Sequence, residues 1–140
     1  MRLFLYGTLQ PAAGTAMADW LRPRIVEAEP ASVAGRLIAV PDPRGWYPAL
    51  LPGAARCRGT LVRAELSRAD VARLDRYEGT DYRRTTLRAR AAGRMVTCSG
   101  YVWRSALPAG AVWMAGGDFL WWLAHERRRA FGSSSGHCLV

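Results

Sequence analysis

The chain has 140 residues, half of them hydrophobic, and a net charge of +9 whose positive side is 20 arginines and no lysine. That length suits one domain with a true core, and that composition excludes a disordered chain. No run approaches the roughly 18 apolar residues of a membrane span, and Met1–Tyr6 is too short for a signal peptide, so a cytoplasmic protein is expected.

Arg2-Leu3-Phe4-Leu5-Tyr6 is a short apolar run and reads as a buried first strand. Gly7-Thr8-Leu9-Gln10-Pro11 breaks it. A glycine there lets the chain turn tightly and leaves N–H groups uncovered, the makings of a small anion-binding concavity. Taken alone, Tyr6-Gly7-Thr8-Leu9 is as well explained by an ordinary turn. Thr15 to Arg22 reads as a short helix stopped by Pro23. Ile25–Glu29 and Val33–Val40 read as two strands, ended by Pro30 and Pro41. Pro41 to Pro48 reads as an irregular loop whose aromatics, Trp46 and Tyr47, lie over something. Ala49–Gly53 adds a short edge and a turn, and Arg58–Leu66 a further strand.

The next stretch carries the chemistry. Ser67 is an N-cap, Asp70 puts negative charge at the positive end of a helix, and Gly79 supplies its stop. Val71, Leu74 and Glu78 share one face of that helix. A carboxylate on an apolar stripe is out of place unless it is used. Burial beside Val71 and Leu74, and the negative helix end, should both raise its proton affinity. Read alone, the stretch fits better a partly exposed glutamate at a fraying helix end.

Tyr82–Ala89 and Met95–Trp103 flank Ala91-Ala92-Gly93-Arg94, a hairpin pattern, with Arg84, Arg88 and Arg90 facing solvent. Asp118 caps a last helix whose apolar face holds Phe119, Trp122, Leu123 and Ala130. Glu126 also falls on that face and competes with Glu78 as an inward carboxylate. The arginines that follow it favour a salt bridge, with Arg129 among the candidates. Residues 1–131 are expected to form one domain, and 132–140 a flexible C-terminal tail.

Several functions are disfavoured. Cys57, Cys98 and Cys138 form no CxxC pair and no zinc spacing, and no Cys–His–Asp arrangement can be read from spacing. No metal site and no cofactor is expected. The arginine excess invites a nucleic-acid reading, but the arginines are scattered and no such motif accompanies them. Neither nucleic acid nor membrane is expected as a partner.

The motifs gain weight as an ordered set. They run Tyr6-Gly7-Thr8-Leu9, Gly45-Trp46-Tyr47-Pro48-Ala49-Leu50, Gly59-Thr60-Leu61, Leu74-Asp75-Arg76-Tyr77-Glu78-Gly79 with Tyr82-Arg83-Arg84, and Gly117-Asp118-Phe119. Over roughly positions 2 to 123 the chain resembles the gamma-glutamylcyclotransferase-like family, in its short branch near gamma-glutamylamine cyclotransferases. The resemblance implies an α+β fold, a small mixed β-barrel with flanking helices. It implies Glu78 as the catalytic residue, with Tyr6, Gly7, Thr8, Leu9 and Tyr82 as substrate-binding residues. It also implies a small-molecule gamma-glutamyl substrate cyclised to 5-oxoproline. The alternative is a non-catalytic relative that serves as a small-molecule-binding or interaction module. The leaving amine and the oligomeric state are not specified by the sequence. The aromatics Trp46, Tyr47, Trp113, Trp121 and Trp122 are candidates to shape the leaving-group side.

Overall fold

Strand β1 (Arg2–Leu5) is buried along nearly its whole length, as its unbroken apolar run predicts. Leu3 and Leu5 point into one cluster, with Leu21, Val62 and Leu74. Phe4 points into another, with Phe119 and Leu123. Helices α1 (Ala16–Leu21) and α2 (Arg68–Glu78) therefore cover one side of β1, and α3 (Phe119–His125) the other. The structure is a computed structural model and describes residues 1–133. Of the expected tail, 134–140 (with Cys138) lies outside the described residues, and Ser133 pairs with Thr15.

The two longest strands form one hairpin, β2 (Ile25–Asp42) with β3 (Gly45–Ala64). It absorbs what the sequence reading divided into separate strands and a loop. Pro30 and Pro41 do not end strands; they lie opposite Thr60 and Trp46. The reason is hydrogen-bond direction. Trp46 N–H donates to Arg129 C=O (2.8 Å) and its C=O accepts from Phe131 N–H (2.6 Å), so its polar groups face away from β2. Its partner Pro41 likewise faces away from β3, where a missing N–H costs nothing. Pro48, two residues along, has the same orientation. The predicted irregular loop shrinks to the two-residue turn Pro43-Arg44, in which Asp42 Oδ1 accepts from Arg44 N–H (2.9 Å). The expected turn near Pro52-Gly53 survives as a bulge, where the register slips between Ala34 and Arg36.

β4 (Tyr82–Ala91) and β5 (Arg94–Trp103) form the predicted hairpin, with Ala92 and Gly93 both at positive φ (47° and 77°). β6 (Val112–Trp113) is a short edge. The strand order is β3-β1-β5-β4-β2-β6, with β2 and β3 also paired to each other. The expected barrel is not the architecture; the fold is α+β, a mixed sheet with flanking helices. A closed barrel needs continuous, staggered ladders. Here β1 joins β5 at one residue pair, Leu3 with Ser99, and β2 joins β4 at one, Ser32 with Arg90.

The last helix is shorter than its apolar pattern. Asp118 caps it as expected, accepting from Trp121 N–H (3.0 Å). It stops at His125, and Arg127 at φ 52° turns the chain away. Glu126 is consequently exposed, not inward, and makes no salt bridge among the described residues. Ala130 is buried, but through parallel pairing with Trp46 rather than on a helix. No helix among the described residues is long and apolar enough to cross a membrane.

Candidate active site

The helix that presents Glu78 is fixed at both ends. Ser67 Oγ accepts from Asp70 N–H and Asp70 Oδ2 accepts from Ser67 N–H, both at 3.0 Å, a full capping box. Gly79, at φ 81°, stops it, and its N–H donates to Asp75 C=O (3.0 Å). Leu74, completely buried, anchors the helix against Leu3 and Leu5. Burying that one side chain is worth about 1.5–3 kcal/mol. One turn later, Glu78 is carried not into the core but into a cavity of about 190 Å³.

The turn after β1 forms another part of the wall. Tyr6, Gly7, Thr8 and Leu9 all line the same cavity, as does Tyr82 at the start of β4. The six residues singled out in the sequence therefore meet in one place. Gly7 is required by proximity: a Cβ there would lie 2.4 Å from Pro48 Cγ. Gln10 N–H folds back onto Gly7 C=O (3.2 Å), and Thr15 Oγ1 donates to Thr8 C=O (2.5 Å). These bonds hold the carbonyls down. Among the described residues, the N–H groups of Gly7, Thr8 and Leu9 have no hydrogen-bond partner.

Five tyrosines line the wall, and the hydroxyls of four of them are already committed. Tyr6 donates to Tyr101 C=O and Tyr82 to Pro48 C=O. Tyr77 pairs with Thr8 Oγ1 (2.8 Å), and Tyr101 donates to Asp75 Oδ1 (2.7 Å). Burial pushes all four phenols upward, so they stay neutral at physiological pH. The Glu78 carboxyl is different: no group among the described residues donates to it. Burial, then the negative charge of Asp75, push its pKa from 4.5 up to about 8. The groups left open to a guest thus include this carboxyl, the free N–H groups of the Gly7 turn and the Tyr47 hydroxyl.

Other residues were missed or misplaced by the sequence. Of the proposed leaving-side aromatics, only Tyr47 lines the cavity. Trp46 packs edge-on against Trp122 (5.1 Å) instead, while Trp113 and Trp121 are 61% and 58% exposed. The C-terminal contribution is Phe131, 5.7 Å from the Tyr47 ring and 4.7 Å beneath the Arg44 guanidinium. Asp42, Arg44 and Asp81 form the charged rim. Only the parallel pairing at Trp46 brings Phe131 here, and no local pattern encodes that. Cys57 and Cys98 are buried away from the cavity, and burial, then Asp118, push the Cys57 thiol up to about 12. Among the described residues no group of three or more His, Cys, Asp or Glu is placed to hold a metal ion.

Comparison with known families identifies the architecture. A sequence model described as Gamma-glutamyl cyclotransferase, AIG2-like matches residues 3–122. The chain belongs to this family. No curated protein matches the chain. Among solved structures, an uncharacterized Pyrococcus horikoshii protein is 16% identical, over 85% of this chain and 89% of that one, with a TM-score of 0.61. An AIG2-like protein from Mus musculus is 20% identical, over 76% and 79%, with a TM-score of 0.59. A Kluyveromyces lactis allophanate hydrolase reaches a TM-score of 0.69 at 12% identity, over 89% of this chain but only 21% of its own. At these identities the likeness is one of fold, and this gamma-glutamyl cyclotransferase-family fold also occurs inside a larger protein.

Proposed function

We propose that this chain cyclises a gamma-glutamyl group to 5-oxoproline and releases the amine, with Glu78 as general base and then general acid. The observation that carries the reading is a single unpartnered carboxyl of pKa about 8 that shares one small cavity with free backbone N–H groups. The domain involved is residues 1–131.

The reaction needs little else. The substrate's own α-amine attacks its γ-carbonyl carbon, so nucleophile and electrophile arrive joined, and the site has mainly to hold the folded conformer. The N–H groups of Gly7, Thr8 and Leu9 are suited to the substrate's α-carboxylate or to the developing oxyanion. Tyr6 and Tyr82, with their hydroxyls tied back, offer ring surface to the substrate's methylenes. Glu78 takes the proton from the attacking nitrogen and delivers it to the departing one; the C–N bond to the leaving amine breaks as the ring C–N bond is kept. Carboxyl and amine need one proton between them. An α-amine of pKa about 8 is close to Glu78 in proton affinity, so that proton moves either way with little uphill cost. The same balance makes kcat/KM bell-shaped in pH, with its maximum near pH 8.

The test is 5-oxoproline release from a panel of gamma-glutamyl amino acids and gamma-glutamyl amines, with Glu78→Gln alongside. Release that the variant loses is the expected result. A Gln variant with near-normal turnover would sink the role of Glu78. No release from any member, by folded protein, would favour a binding module.

A further inference from the structure

Asp75 sits three residues before Glu78 on α2, so the two carboxyls are neighbours on the helix surface. Two like charges so placed oppose each other, yet Asp75 is held where it is by three bonds. Tyr101 donates to Oδ1 at 2.7 Å, Arg84 Nε to Oδ1 at 3.0 Å and Arg84 Nη2 to Oδ2 at 3.4 Å. Burial pushes the Asp75 carboxyl up, but the bonds from Arg84 and Tyr101 outweigh it and hold it below the usual carboxylate range. Asp75 is therefore a fixed negative charge beside a carboxyl that has no donor of its own. The reading of Arg84 as a solvated strand residue leaves out this contact.

Other charged groups near Glu78 do not share that position. Asp42 is tied to Arg44 (3.4 Å) and Asp81 accepts from Ser105 Oγ (2.6 Å), both at the rim. Tyr6, Tyr77, Tyr82 and Tyr101 face Glu78 from β1's end, its own helix, β4 and β5, and all are neutral phenols.

We propose that the Arg84–Asp75–Tyr101 chain sets the electrostatic field at Glu78, with Asp75 as a positioning residue that favours the protonated carboxyl and Arg84 as its damper. The two members of one ion pair then act in opposite directions on the same proton. Removing Asp75's charge makes ionised Glu78 easier to form. Removing Arg84 leaves Asp75 less compensated and makes it harder. A purely structural ion pair would give the two variants the same effect, because either substitution breaks the same contact.

The experiment is a 13C-carboxyl NMR titration of Glu78 in the wild-type chain, Asp75→Asn and Arg84→Gln. The midpoint is expected to fall in Asp75→Asn by on the order of one pH unit, and to rise by less in Arg84→Gln. Shifts of the same sign, or no shift in Asp75→Asn, would overturn the proposal. Should Asp75→Asn not fold, Tyr101→Phe takes its place. It removes one donor from Asp75 and keeps the ring, so a raised midpoint supports the proposal and an unchanged one refutes it. A kinetic arm rests on the cyclotransferase reading: the acid limb of kcat/KM should follow the titration midpoint in each variant. The titration needs no turnover, so a failure of the reaction and a failure of the field are told apart.

Discussion

Two helices of this protein end on a glutamate, and the two ends have opposite fates. α2 and α3 are both side-chain capped at the N-terminus, by Ser67 and Asp118. Both insert a fully buried leucine, Leu74 and Leu123, into a core cluster. Glu78 is the last residue of α2 and reaches the cavity with its pKa at about 8. Glu126 is the C-cap of α3 and stands exposed. Packing does not separate them. What separates them is what the chain does next. Gly79 stops α2 against the wall of a cavity, whereas Arg127 swings α3's end into solvent. An inward pattern on a helix does not by itself bring a carboxylate into a cavity.

The widest gap between the two ends should be in turnover. Glu78→Gln is expected to lose about 10²–10⁴-fold in kcat, while Glu126→Gln stays within about twofold, measured as 5-oxoproline release. Equal losses in the two would erase the distinction.

Stability against pH comes next. Glu78 binds its proton more tightly folded (about 8) than unfolded (4.5). Its contribution is therefore intact below about pH 4.5, declines as pH rises, and is fully lost above about pH 8. The loss amounts to at most about 5 kcal/mol, less where the cavity keeps water near the carboxyl. Glu78→Gln, which cannot ionise, should thus be more stable than wild type in urea unfolding at pH 9, with the gap closing by pH 5. An advantage that did not grow with pH would contradict a raised proton affinity. The third comparison should show similarity. Leu74→Ala and Leu123→Ala are each expected to cost about 2–5 kcal/mol by denaturant melts, because both side chains are fully buried. A much smaller cost at Leu74 would mean that α2 is not anchored as described.

The parts legible in the sequence are those coded locally. The capping box of Ser67 and Asp70, the stop at Gly79 and the Ala92-Gly93 turn each lie within a few residues of what they control, and each forms. The meeting of Tyr6–Leu9, Glu78 and Tyr82 followed from the family motifs rather than from periodicity. What failed was long-range. Pro30 and Pro41 look like strand ends only while the partner strand is unknown; with Thr60 and Trp46 opposite, they fit. The barrel expectation failed because closure depends on how hairpins meet, and these meet at single pairs. Phe131 and Tyr101 reach the cavity through strand pairing, and Asp75, though inside the quoted motif, gains meaning only from Arg84 on another strand.

The β2–β3 hairpin carries one more consequence, for the order in which the molecule assembles. Its turn is two residues, so its ladder zips from Asp42 and Gly45 with little loop entropy. The walls of the cavity come from residues 4–9, from the hairpin tip, from α2 and from Phe131, so their contacts have high sequence separation. A refolding chain is therefore expected to hold most of its strand before it holds a site. Far-UV circular dichroism should recover ahead of tyrosine emission in a stopped-flow trace, and coincident traces would show that hairpin and cavity form in one step. On that expectation the protein is, early in folding, a ribbon without a pocket.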